Sequence, residues 1–206
     1  MHFTLLISAL AASALASPLA TSLKPKTGKS DTWKPAPGTK VGCVNTDEPN
    51  FHVSFARSDP IETVINNACV AMMPECAFRD RLSNGNFCTA TIDYQIDGPK
   101  SYRPPNVEAS RYNGTHFQTS QVTFEVTPPW GKGDGAPDPL VFWKVQDCYG
   151  YFHQILEKMS PEGCHDSEGS LLGAVTVGEE SSLAGTRFVL FMDMIPGYGW
   201  NVTWDK

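Results

Sequence analysis

The residues best suited to chemistry are six cysteines, Cys43, Cys69, Cys76, Cys88, Cys148 and Cys164. Thiols in such number either cross-link or bind zinc. Zinc sites draw on cysteines separated by two residues, or on accompanying His pairs, and no two of these are so spaced. An even count in an oxidising compartment reads as three disulfides, which leaves no thiol for nucleophilic catalysis. One metal candidate deserves weighing: His153, His165 and Asp166, beside Cys164. His153 alone falls within a helical pattern, and nothing places a second ligand one turn away. These read as surface groups beside a disulfide, and no metal or cofactor is expected.

Other chemistry is weaker still. A hydrolase nucleophile elbow needs G-x-S-x-G, whereas Gly169-Ser170-Leu171-Leu172-Gly173 has the wrong register. Glycoside cleavage needs two carboxylates close in space. Asp93 with Asp97, or Glu179 with Glu180, would be the pairs, but the first lies on the polar side of a strand and the second in a loop, as solvated charge. The run Gly131-Lys132-Gly133-Asp134-Gly135 lacks the strand, the Lys-Ser/Thr ending and the helix of a phosphate cradle. It reads as a surface loop, the kind of segment that carries binding residues. Tyr198, Trp200 and Trp204 alternate on one face of a strand and read as core. Trp130, in a Gly- and Pro-rich loop, is the one aromatic left as a ligand-binding candidate. No catalytic residue is assigned.

The elements that would position these residues follow from periodicity. Thr39–Val44 and Phe51–Phe55 read as short strands. Asp59, Pro60 and Glu62 suit a helix start with a capping box, and Ile61, Val64, Ile65, Ala68, Cys69 and Met72 form one apolar stripe ending at Pro74. Cys88 to Ile96 alternates as a half-buried strand, and Val122, Phe124 and Val126 mark another. Residues 98–112 and 128–139 read as loops. A second helix runs from Pro139 or Lys144 to Met159, with Val141, Val145, Cys148, Phe152, Ile155 and Met159 along one face. Strands at Leu171–Val177, Phe188–Met194 and Tyr198–Trp204 complete the chain. This order predicts an α+β fold: a two-layer sandwich, an antiparallel sheet with both helices packed on one face, stapled by disulfides.

Residues 1–16 resemble a signal peptide, with an apolar run from Phe3 and Ala14-Leu15-Ala16 before a cleavage point. Residues 17–38 are rich in Pro, Ser, Thr and Lys and read as a disordered arm, so that residues 39–206 form a single secreted domain. No later run is long and apolar enough to span a bilayer. Asn113-Gly114-Thr115 and Asn201-Val202-Thr203 are glycosylation sequons. Residues 17–40 hold five lysines and one aspartate, a balance of +4; with a chain total of −6 and no charged side chain before residue 17, the remainder carries −10. An acidic body argues against nucleic acid as a partner.

Asp147-Cys148, Phe152, Ile155, Cys164 and the strand beginning at Gly169 resemble a segment of small, cysteine-rich secreted fungal proteins related to necrosis-inducing effectors and killer-toxin-like α/β sandwiches. The resemblance implies a secreted, non-catalytic interaction protein acting on a host or competitor target, with a host or competitor protein or a cell-wall glycan as partner. A carbohydrate-binding module or a wall-polysaccharide hydrolase is the alternative.

The spacing leaves the pairing of cysteines open. Cys148–Cys164 closes if the chain folds back tautly along the second helix; otherwise Cys148 crosses to Cys69, both on core-facing stripes. Cys43 and Cys88, both in strands, form a natural second pair. A Cys43–Cys164 link is incompatible with either version and with the layers behind them.

Overall fold

The structure, a computed structural model, describes residues 33–44, 51–55, 58–83, 85, 87–88, 92–112, 117–129 and 140–192. The expectations placed on residues 1–32, Asn113, Trp130, the Gly131–Gly135 run and residues 193–206, including Asn201, lie outside the described residues.

Short antiparallel strands dominate. They are β1 (Lys40–Cys43), β2 (His52–Ser54), β3 (Tyr94–Ile96), β4 (Lys100–Tyr102), β5 (Glu108–Tyr112), β6 (Phe117–Thr127), β7 (Val141–Trp143), β8 (Ser170–Leu171), β9 (Gly173–Thr176) and β10 (Arg187–Met192). The main sheet runs β1-β9-β10-β6-β5-β2-β8, with β4 paired to β6. Its two ends nearly meet. β8 and β9 are separated by Leu172 alone; β8 pairs with β2 while β9 pairs with β1 and β10. Likewise β5 lies along the first half of β6 and β4 along the second. These broken strands bend the sheet nearly into a barrel, where an open two-layer sandwich was expected.

β4 and β5 occupy a stretch expected to be loop. Pro104 and Pro105 fall in the break between the two strands, where a missing N–H breaks no ladder, and Asn106 takes the turn with φ of 61°. The alternating half-buried strand expected from Cys88 shortens to β3, which pairs with β7 as a separate ribbon; Ile92 is 71% exposed.

α1 (Ile61–Met72) and α2 (Val145–Glu157) are the two α-helices among the described residues. Pro60, not Asp59, stands at the N-cap of α1, its carbonyl accepting from the N–H groups of Thr63 and Val64, and no side chain caps the helix. Val141 belongs to β7, so α2 takes the later of its two expected starts. The Asp147 carboxylate fixes that start by accepting the Lys144 N–H at 3.0 Å. Phe152 of α2 meets Phe124 of β6 and Phe188 of β10, ring centroids 5.0 and 5.4 Å apart. Val122, Phe124 and Val126, alternating on β6, are fully buried beneath it, the period-two pattern of a strand with one face in the core.

Three disulfides staple this body: Cys43–Cys164, Cys69–Cys148 and Cys76–Cys88. Cys43–Cys164 is the link expected not to form, and it overturns both pairing schemes and the layer arrangement behind them. Of their separate links the Cys148–Cys69 crossing is present, while Cys148–Cys164 and Cys43–Cys88 are not. The Cys164 N–H bonds the Ile155 carbonyl at 2.8 Å, which holds it near the far end of α2. Seven residues from Cys148 to Ile155 rise about 10 Å at 1.5 Å each, beyond the ~4.4–6.8 Å Cα span of a disulfide. Cys43 faces Gly173 in the β1–β9 register, and it meets Cys164 there. Cys88 lies outside any strand and closes a local loop with Cys76.

The packed chain includes residues assigned to the arm. Trp33–Gly38 run as a strap across α2 and lead into β1. The indole of Trp33 meets Tyr151 edge-on at 4.9 Å and its Nε1–H donates to Asp147 at 3.1 Å. The Ala36 N–H donates to the Tyr151 hydroxyl, and the Thr39 hydroxyl to the Ala36 carbonyl.

Candidate functional site

Helical spacing brings Gln146, Tyr149, Gly150, His153 and Gln154 onto one face of α2, since residues three and four apart are neighbours. The strap crosses this face without filling it. Between them lies a groove of about 790 Å³, within the ~300–1,000 Å³ of ordinary ligand sites. Trp33 forms one wall, Tyr149, Gly150 and Gln154 the floor, and Lys34, Lys158 and Glu162 lie on the rim.

The wall depends on one glycine. A Cβ at Gly150 would fall 2.3 Å from two atoms of the Trp33 indole, closer than any packed pair, so that only Gly admits the ring. At the strap's other end Gly178 has the same role: its Cβ would lie 1.8 Å from the Pro37 carbonyl oxygen. The glycine that weakens α2 as a helix former is therefore the socket of the strap.

The floor carries polar groups in an unusual state. Tyr149 is 2% exposed and its hydroxyl has no hydrogen-bond partner among the described residues. Burial, with the carboxylates of Glu62 and Glu157 nearby, pushes its pKa far above the ordinary phenol value, so it stays a neutral hydroxyl. Gln154 donates its amide N–H to the Glu162 carbonyl at 2.8 Å, which fixes the amide's orientation. Its Oε1 is buried with no partner among the described residues. His153 stacks on Tyr149, centroids 5.5 Å apart, and its Nε2 lies 2.9 Å from Glu157. A buried polar atom left unpaired costs about 1–3 kcal/mol. Both atoms have almost no accessible surface, so they lie beneath the groove and are not open to a ligand.

The residues weighed from sequence for catalysis or metal binding are dispersed into other contacts. His165 Nδ1 lies 3.1 Å from the Leu156 carbonyl and 3.4 Å from Ser170 Oγ. Ser170 is buried and donates to that same carbonyl at 2.6 Å. Asp166 turns away from this pair: its Oδ1 accepts the N–H groups of Glu168 and Gly169 and lies 3.5 Å from His52 Nε2. A relay needs one imidazole between the hydroxyl and the carboxylate, and here two different histidines serve them. Burial acts to raise the Asp166 pKa, but the two backbone N–H groups and His52 outweigh it and hold the carboxyl below its ordinary value. No group of three or more His, Cys, Asp or Glu able to hold a metal occurs among the described residues.

Asp93 lies 3.6 Å from Lys144, and Asp97 pairs with Lys100. That lysine lowers the Asp97 pKa by hydrogen bond. Glu179 and Glu180 are exposed. All six cysteines are in disulfides.

Sequence reasoning missed the strap and the groove floor. The signals were a lone Trp in a Pro-rich stretch and a Gly in mid-helix, each legible only with the other. Comparison with family models, with curated proteins and with solved structures returns no match. Three disulfides are typical of extracellular proteins, and no helix among the described residues is long and apolar enough to cross a membrane.

Proposed function

We propose that the protein is a secreted, non-catalytic interaction protein, effector- or toxin-like, that engages a host or competitor target through the groove between the strap and α2. One observation carries this reading: a groove walled by Trp33 and rimmed by Lys34, Gln146, Lys158 and Glu162 lies on a helix locked to its neighbour by Cys69–Cys148. A rigid, pre-formed surface limits the ordering cost of association. The resemblance of Asp147–Gly169 to secreted fungal effectors points the same way.

Affinity capture tests it, with the fully oxidised chain set against a Trp33→Ala variant, using host tissue extracts and competitor cell walls as sources. The expected result is a defined component retained by the native chain and lost by the variant. Steady release of reducing ends from wall polysaccharide by the purified protein would replace this reading with the hydrolase alternative.

A further inference from the structure

We infer that the outer edge of β1, beside the groove, takes up an extended peptide as an added strand. This rests on the interaction reading above and names the class of partner. The register of β1 carries it. β1 is an end strand of the main sheet and pairs only with β9. The Val44 N–H donates to the Leu172 carbonyl at 3.0 Å, in continuation of the Lys40↔Thr176 register. Hydrogen-bonded pairs alternate along an antiparallel ladder, so Lys40, Gly42 and Val44 turn their main-chain groups toward β9. Val41 and Cys43 turn theirs outward. Those N–H and C=O groups have no partner among the described residues.

Other edges are met by the chain itself. At the opposite end of the sheet the Leu171 N–H of β8 donates to the Cys164 carbonyl at 2.7 Å. On β7 the Phe142 N–H donates to the Ser182 carbonyl, and the Phe142 carbonyl accepts the Ser182 hydroxyl. β1 is left open where Thr39 and Val41 line the groove. An unpaired edge is a template for a further strand. Val41 and Cys43 repeat their donor and acceptor about 6.8 Å apart, twice the rise of a strand. A ligand that satisfies them carries N–H and C=O groups at that interval along a line, which describes an extended main chain. The edge is also held in place. Cys43–Cys164 pins one end of β1. At the other end the Thr39 hydroxyl accepts the Gly178 N–H at 3.2 Å and donates to the Ala36 carbonyl. A pre-ordered strand adds little ordering cost on binding. A second copy of this chain is the poorer occupant. β1 has four residues, opens on exposed Lys40 and follows Pro37, features that discourage pairing between whole sheets.

The test selects binders of the full-length oxidised protein from a phage-displayed library of random heptapeptides. The selected sequences are synthesised for calorimetry and amide exchange. In the free protein the Val41 and Cys43 amides should exchange rapidly, and those of Gly42 and Val44 slowly. Bound peptide should slow the Val41 and Cys43 amides by roughly tenfold or more. N-methylation of the peptide at alternate residues should abolish binding in one frame and spare it in the other, because only every second N–H meets β1. Val41→Pro removes an edge donor that β9 does not use, and should weaken binding by roughly tenfold or more, since a peptide carbonyl is left unpaired. Val41→Ala keeps the N–H and should retain binding. The N-methyl pair leaves the protein untouched, so it decides the matter even if Val41→Pro unfolds the chain. Slow exchange of Val41 in the free protein, failure to select any peptide, or equal loss from both N-methyl frames overturns the inference. Protection of Val41 that grows with protein concentration would also overturn it, in favour of a second copy. Trp33-dependent capture of a target with no peptide at β1 would sink strand addition and leave the interaction reading standing. Peptide pairing at β1 that Trp33→Ala leaves intact, with no target captured, would sustain strand addition and remove the groove from that reading.

Discussion

Two regions of the molecule, the α2 region and the loop after α1, are held by different means. On the α2 side, Cys43–Cys164 and Cys69–Cys148 join residues 121 and 79 positions apart, and Cys69, Cys148 and Cys164 are almost fully buried. In the segment after α1, Cys76–Cys88 closes a span of 12 positions that carries two short 3-10 turns with no buried residue, Glu75–Ala77 and Arg79–Arg81. Phe87 and Ile92 there are 97% and 71% exposed. Loop-closure entropy grows with the logarithm of loop length, which gives about 4.9 and 4.5 kcal/mol for the two long links and about 2.8 kcal/mol for the short one. The groove sits on the side with the long links. A binding surface assembled from chain segments more than a hundred residues apart needs such links; a local loop does not.

The largest effect expected follows directly. Replacing Cys43 and Cys164 by alanine should lower stability by about 5 kcal/mol, a third or more of the ~5–15 kcal/mol a domain possesses, so urea unfolding should begin at much lower concentrations. Replacing Cys76 and Cys88 should cost about 3 kcal/mol and leave hydrogen exchange on α2 slow. If the second pair proved the more damaging, the division between the two sides would be wrong.

The same division separates what the sequence reveals from what it hides. The apolar stripe of α1 and the alternation of Val122, Phe124 and Val126 were legible because each is a local periodicity that a core imposes on a helix or a strand. β4 and β5 were not. Pro104 and Pro105 mask them locally, and their strand character comes from pairing with β6. The bend of the sheet was hidden likewise, since it rests on Leu172 separating two ladders with different partners. Of the cysteines, Cys69 and Cys148 lie on facing stripes, which made their link legible only as the second choice after Cys148–Cys164, whereas Cys43–Cys164 depends on a register between β1 and β9 that no local pattern encodes. The groove was the least legible part. Its wall is set by Gly150, where the informative feature is a side chain that is missing, and its floor by atoms whose lack of a partner is a property of the assembled fold.

A change of sign makes the strap's role measurable. Gly150→Ala puts a methyl 2.3 Å from the Trp33 ring and should expel it, at a cost of about 1–3 kcal/mol for overpacking. Were the strap's packing incidental, the same substitution would stabilise α2 by up to about 1 kcal/mol, because alanine is the better helix former. The urea midpoint separates the two, and exchange of the Ala36 amide, bonded to the Tyr151 hydroxyl, should accelerate in the variant. A raised midpoint with a protected Ala36 would detach the strap from the groove and leave the floor alone to define it.

The smallest effect concerns the turn between α2 and β8, where the stapled side relies on charge. Asp166 accepts two backbone N–H groups there and faces His52 across to β2. Its folded pKa lies below the ordinary 3.8, so its contribution is complete above that value and is lost as pH falls through the depressed folded one. Asp166→Asn keeps an oxygen for the backbone bonds and removes only the charge. The variant should be slightly less stable than the native chain at pH 6, and the gap should close by pH 2 as the native carboxyl is protonated. Exposure of Asp166 and of the neighbouring Glu168 to solvent keeps this effect small, since surface ion pairs are worth little. A gap that persists unchanged at pH 2 would assign the effect to the altered side-chain shape, and would mean that this turn, like the rest of the α2 side, is held by packing and cross-links alone.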